Sequence, residues 1–247
     1  MTGARRSGSG GGGRRQLKVR LKTARQRSAS SQRWLERQLN DPYVAAAKRE
    51  GYRSRAAYKL IEIDDRHHLL KPGARVIDLG ATPGGWAQVA AQRVRSTEGK
   101  GQVAAIDLLP MEALAGVEFL LLDFMDAAAP SRLRALLRGG RADVVLSDMA
   151  AQGTGHARTD HLRVIGLAEA AAEFASEVLE PGGAFLCKVF QGGSEQALLG
   201  RLKRAFTSVR HIKPPASRTA SAELYVLAKG LRAGEKAQAP GPGWEPS

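Results

Sequence analysis

The run Val76 to Trp86, VIDLGATPGGW, leaves a chain few choices: an apolar stretch ends on a carboxylate and then passes through Gly80, Gly84 and Gly85. That pattern describes a buried strand turning sharply into a helix, with main chain rather than side chains brought up against a ligand. The spacing excludes two common phosphate loops. A dinucleotide turn needs G-x-G-x-x-G, whereas this one reads G-x-x-x-G-G with Pro83 in its middle. A Walker loop needs Lys-Ser or Lys-Thr after the last glycine, where Trp86 stands. On this run alone, a tight turn with no ligand is the competing reading.

The rest of the chain fits around such a unit. Apolar runs predict strands at 75–79, 102–106, 118–122, 143–147, 184–189, 208–213 and 224–228. Helical periodicity predicts helices at 54–66, 85–95, 131–137, 160–179 and 194–206. Strands alternating with helices make an α/β, doubly wound parallel sheet. Pro72-Gly73 and Pro181-Gly182 mark the turns before the first and fifth strands. Between the last two strands lies only KPPASRTASAE, too little for a crossover helix, so the seventh strand should run antiparallel beside the sixth. We expect residues 31–230 to form one domain, flanked by a disordered basic Gly/Ser/Arg-rich tail (1–30) and a disordered Pro/Gly-rich tail (231–247). Apolar residues make up 43% of the chain, enough for a sizeable core, but aromatic residues are few, so Ala, Leu and Val must fill it.

Charge is unevenly distributed. Residues 1–55 hold 15 Lys/Arg against 3 Asp/Glu, so nearly all of the net +14 lies in the first fifth of the chain. An arm of this kind suits a polyanion such as RNA or DNA, because Lys and Arg gain affinity there by releasing condensed counterions. A solvated tail is the alternative. No stretch has the apolar length of a membrane span or the core of a signal peptide. The single Cys187, in the apolar run AFLCKVF, reads as a buried structural thiol in a reducing compartment. A cytoplasmic location is therefore expected. The five histidines show no metal-ligand spacing, and no metal is expected.

In open parallel sheets ligands bind beyond the carboxyl ends of the strands. Here those ends carry Asp78, Asp107, Asp123 and Asp148. A carboxylate after the second strand can accept both hydroxyls of a ribose, and Asp123 could take an adenine amino group. A nucleoside cofactor without a pyrophosphate fits that edge. Any one of these residues alone reads equally well as a turn or helix cap.

Six motifs in order, SRAAYKL, DLGATPGGW, IDLLPM with Asp107, the Asp123 strand end, SDMA with Asp148 and KVFQG with Lys188, resemble the FtsJ family of RNA ribose 2'-O-methyltransferases from about Ser28 to Ala228. The resemblance implies a Rossmann-like S-adenosylmethionine-dependent methyltransferase fold, a seven-stranded sheet of order 3-2-1-4-5-7-6 with helices on both faces. It implies S-adenosyl-L-methionine as cofactor, bound by Gly84, Trp86, Asp107, Asp123 and Asp148, and a catalytic tetrad at Lys59, Asp148, Lys188 and Glu223. Among family members the chain looks most like those that methylate a uridine ribose in the A-loop of 23S rRNA, which implies rRNA of the large subunit as partner and a monomeric enzyme. Thr82 stands where the family usually has Ala. The stretch AAQGTGHARTDH replaces the usual loop after the SDM motif, which puts the fit to substrate in question.

Methyl transfer to a ribose hydroxyl is an in-line attack of oxygen on a sulfonium methyl, so the protein must align two partners and remove one proton. A lysine can accept that proton when it is neutral. We expect Lys188 to be the general base, Asp148 and Glu223 to orient it, and Lys59 to position the hydroxyl or stabilise its developing charge. Taken singly, Lys188 reads as a snorkelling strand lysine and Glu223 as a surface charge. Arg53 and Arg55, beside Lys59, are expected to grip phosphates, continuing a basic surface from Arg33, Arg37, Lys48 and Arg49, with Trp34 and Tyr43 able to stack on bases. A tRNA ribose methyltransferase and a non-catalytic RNA-binding assembly factor are the alternative functions.

Overall fold

The computed structural model describes residues 31, 35–36, 38–150, 157–191 and 196–234, with the backbone alone at 157, 158 and 160. The expected tails (apart from residues 231–234), Arg33, Trp34, Arg37 and residues 151–156 of the divergent 150–161 loop lie outside the described residues. The chain divides into two units, 1–45 and 46–247. Asp41 precedes helix α1 (Pro42–Glu50), its Oδ1 accepting the Tyr43 N–H at 3.0 Å.

The second unit is built on seven strands: β1 (Arg75–Leu79), β2 (Gln102–Asp107), β3 (Glu118–Leu121), β4 (Ala142–Ser147), β5 (Leu179–Phe190), β6 (Phe206–Ile212) and β7 (Glu223–Leu231). They form one sheet of order β3-β2-β1-β4-β5-β7-β6. β1 to β5 pair in parallel, whereas β7 runs antiparallel between β5 and β6. The expected order and the antiparallel last strand are both present. Helices α2 (Ala56–His67), α3 (Gly85–Val94), α4 (Ala129–Ala135), α5 (Ala157–Val178) and α6 (Gln196–Ala205) complete it.

Side-chain alternation sends neighbouring residues of one strand into opposite cores. Ile77 and Leu79 pack with Leu133 of α4, Phe174 of α5 and Leu202 of α6. Val76 packs with Leu60 and Ile63 of α2 and Trp86 and Val89 of α3. Both faces are covered, which is why the strands read as continuous apolar runs rather than alternating ones. Burying side chains such as Leu60 and Ile63 contributes about 1.5–3 kcal/mol each.

Four boundaries differ instructively from expectation. β5 begins at Leu179, because Leu179 pairs with Ala142 before residues around Pro181-Gly182 loop out and pairing resumes at Val144 and Ala184. β6 and β7 each extend outward, since Phe206 pairs with Leu231. α4 starts at Ala129, two residues early, with Pro130 in its first turn, where proline's missing N–H is not needed.

The strand order reverses between β1 and β4, and the crevice beyond their carboxyl ends is where such sheets hold ligands. The two ends approach closely. A Cβ on Gly80 would stand 2.9 Å from the Met149 backbone.

Candidate active site

Two groups of residues meet at that crevice. The first surrounds the glycine turn. Gly84 has φ 109°, and a Cβ there would lie 2.9 Å from both Arg53 Cδ and Met111 Sδ, so only glycine fits the turn in this setting. Asp107, at the end of β2, staples the turn to the next loop: its Oδ2 accepts the Thr82 N–H at 2.9 Å and its Oδ1 accepts the Leu109 N–H at 2.8 Å. Each oxygen retains a lone pair for a ligand hydroxyl. Asp123 is exposed, with Oδ1 accepting the Met125 N–H at 2.9 Å.

Asp78 is different in kind. It is fully buried, and neither carboxylate oxygen has a hydrogen-bond partner of good geometry. Burial first, then the negative charges of Asp148 and Asp107, push its pKa up to about 8, with the Ala87 N–H opposing weakly. A buried polar group without a partner is costly, and this one lies directly beneath the turn.

The second group gathers the expected tetrad around a residue that the sequence reading did not single out, Tyr225. Lys59 reaches in from α2 and pairs with Glu223 Oε1 at 2.7 Å. Lys188 from β5 pairs with Asp148 Oδ1 at 3.2 Å and donates to the Asp148 carbonyl at 2.5 Å. Tyr225 joins the two pairs. Its hydroxyl donates to Asp148 Oδ1 at 2.8 Å and accepts from Lys59 Nζ at 3.2 Å, with Glu223 Oε1 farther off at 3.4 Å. One hydroxyl proton can serve one acceptor well, and the shorter contact assigns it to Asp148. Burial, with Asp148 and Glu223 adding to it, raises the Tyr225 pKa well above its ordinary value, so the phenol stays neutral.

Strand register explains the meeting. Lys188 pairs with Tyr225 across the β5–β7 ladder, and Glu223 precedes Tyr225 by two residues on the same strand face. Both lysines are about nine-tenths buried. Each has two of its three nitrogen positions engaged, leaving one for a ligand. Ser217 Oγ donates to the same Glu223 Oε1 at 2.9 Å and helps hold that carboxylate.

Some expected contributions take another form. Trp86 is buried, its indole N–H donating to the Ala56 carbonyl at 2.9 Å and its ring lying 5.5 Å from that of Tyr225, so only its main chain can face a ligand in the turn. The Arg53 guanidinium donates to the Glu112 and Ala113 carbonyls, both at 2.7 Å, and Arg55 donates to the Ala216 carbonyl at 2.6 Å. These arginines fasten loops around the site, a use that helical spacing could not reveal. Tyr225 was missed because a tyrosine within an apolar strand looks like core. Its position two residues after Glu223 and opposite Lys188 was the available signal.

Cys187, buried beside this group, is pushed up to about 12 and stays a protonated thiol. Among the described residues no group of three His, Cys, Asp or Glu stands at metal-ligand distance, and no helix is long and apolar enough to cross a membrane.

Residues 52–231 match the family of FtsJ-like methyltransferases. The chain is 62% identical over 218 residues to the ribosomal RNA large subunit methyltransferase E of Azorhizobium caulinodans, covering 88% of this chain and 90% of that protein. It is equally identical over 219 residues to the protein of that name from Rhodopseudomonas palustris strain BisA53, covering 89% and 93%. A solved structure described as a ribosomal RNA methyltransferase from Plasmodium falciparum is similar with a TM-score of 0.64 and 31% identity, over 73% of this chain and 98% of that one.

Proposed function

The chain belongs to the FtsJ-like methyltransferase family, and on that premise we propose that it transfers the methyl group of S-adenosyl-L-methionine to the 2'-hydroxyl of a uridine ribose in the A-loop of 23S rRNA, in the large ribosomal subunit. The observation that carries this reading is the Lys59-Glu223 and Lys188-Asp148 quartet joined through Tyr225, set beside the glycine turn. High identity to rRNA large subunit methyltransferases over most of both chains supports the substrate.

The residues of the crevice fit the cofactor. The turn at Gly84 leaves room for main chain to meet a ligand, Asp107 offers lone pairs to ribose hydroxyls, and Asp123 stands exposed where it can take the adenine amino group. Asp148 and the main chain at Trp86 complete the set. The orphaned Asp78 beneath the turn holds its proton up to about pH 8, and a cationic ligand bound in the turn would favour its carboxylate form. When bound, the cofactor supplies an electrophilic methyl on a good leaving group.

The chain's own part is alignment and proton removal. Lys188 accepts the proton of the ribose hydroxyl at Nζ, and the Asp148 carboxylate, already in contact, stabilises the ammonium that forms. Tyr225 donates to the same Asp148 oxygen that Lys188 meets and holds it in place. Lys59, held in place by Glu223, directs its remaining N–H towards the oxygen on which negative charge develops. The enzyme acts as a monomer in the cytoplasm on this reading, which gel filtration and cell fractionation check.

The decisive assay incubates the protein and tritiated S-adenosylmethionine with total RNA and with large subunits from a strain lacking the gene. Label in 23S rRNA is the expected result. Label in tRNA alone would mean a tRNA ribose methyltransferase, and no label would mean a protein that only binds RNA.

A further inference from the structure

A second concentration of positive charge lies away from the quartet, where the C-terminal end of α2 meets the outer strands. Tyr225 and Leu227 of β7 face the core beneath α2, so Lys229 lies on that face too. On β6, Arg210 pairs with Leu227 and shares its face with Ile212. Lys229 Nζ donates to the His67 carbonyl at 3.0 Å, which brings the ammonium to the helix end beside the exposed Arg66 and His68. Burial and then the charges of Lys229, Arg66, Arg210 and His68 lower the His67 pKa, an independent sign that these groups crowd together.

The acids nearby are committed elsewhere. Asp64 accepts the Leu69 and Leu70 N–H groups and faces Arg93, while Asp65 pairs with Arg93 at 2.6 Å. Asp143 and Glu180 pair with Arg75 across a groove of about 420 Å³ that His68, Lys71 and Lys229 also line. Among the described residues, Arg66, Lys71, Arg210 and Lys229 have no carboxylate partner. The partial negative charge at a helix C-terminus, about half a unit, accounts for one such cation and not for four. Six strand residues separate Lys229 from Glu223, roughly 20 Å at ~3.3 Å per residue.

We propose that this surface is a second RNA-binding site, gripping backbone phosphates of the ribosomal RNA at a distance from the methylated ribose. It rests on the rRNA reading above and extends it. Phosphate contacts fix register and orientation without reading bases, which is what an enzyme needs when it must present one sugar of a large folded RNA to its crevice.

The test pairs Arg66→Glu with Arg210→Glu in the full chain, both residues being exposed, with the melting temperature and S-adenosylmethionine affinity as controls. On large subunits from a strain lacking the gene, KM for RNA should rise by about tenfold or more while kcat holds, as for removal of uniform binding. On a naked rRNA fragment, the slope of log affinity against log salt should flatten by about 1.5 to 2, as for two lost phosphate contacts. Unchanged KM and slope would overturn the proposal. A raised KM on subunits with an unchanged slope on naked RNA would also overturn it, pointing instead to a ribosomal protein. Fragment binding needs no turnover, so a wild-type chain that binds RNA without methylating it would contradict the enzyme function and leave this surface standing.

Discussion

At the scale of single residues, the site depends on one hydroxyl and one orphaned carboxylate. Tyr225→Phe keeps the ring packed against Trp86 while disconnecting the two lysine-carboxylate pairs. Single-turnover methylation should fall by about 10- to 100-fold, short of the ~10²–10⁴ attributed to a general base, with stability lowered by about 1–2 kcal/mol; an unchanged rate would remove Tyr225 from the account. Asp78 gives a pH prediction with a definite sign. Its folded pKa, about 8, lies above the ordinary 3.8, so between those values the folded protein holds a proton that the unfolded chain has released. Stability without cofactor should therefore fall as pH rises from about 4 to about 8 and level off above. Asp78→Asn, which cannot ionise, should melt with wild type near pH 4 and above it at pH 8.5. Melting curves that stay parallel across this range would contradict the buried, unpartnered carboxylate.

At the scale of elements, the strand-turn-helix unit of β1 and α3 is the most constrained part of the chain. Gly80→Ala would force a left-handed residue, φ 77°, against the Met149 backbone at 2.9 Å, which costs about 1–3 kcal/mol. Because that contact joins the ends of β1 and β4, cofactor affinity should fall at least tenfold in calorimetry, whereas Gly99→Ala, with φ 72° but open space around it, should leave it unchanged. The same unit explains what was legible in the sequence. Apolar runs and glycine punctuation are local signals, and they located all seven strands, whereas the sheet order was legible only through the family resemblance of the motifs. Strand ends set by pairing were not legible, because Leu179 joins β5 through Ala142, and Phe206 joins β6 through Leu231. The tetrad positions could be named from motifs, but Tyr225 at their centre could not: its role arises only when the β5–β7 register sets it opposite Lys188. Arg53 and Arg55 show the opposite case, charges read only for phosphate whose guanidinium groups also hold backbone carbonyls.

At the scale of the whole molecule, chemistry and positive charge are laid out separately. The quartet lies at the carboxyl ends of the parallel strands, where β7 begins, while Lys229 lies towards the far end of β7 and Arg210 opposite its midpoint at Leu227, so catalysis and grip can be altered independently. The net charge of +14 should also make RNA affinity fall steeply with salt. The proposed reaction turns on one step, in which Lys188 takes the proton of a ribose hydroxyl in large-subunit rRNA. It is tested most directly by single-turnover methylation of large subunits from a strain lacking the gene, with the modified nucleotide mapped, comparing wild type with Lys188→Ala across pH. Wild type should give a 2'-O-methyluridine in the A-loop, and the variant a rate lower by about 10²–10⁴ with cofactor affinity intact. Near wild-type methylation by Lys188→Ala, or a label mapped away from that ribose, would contradict it.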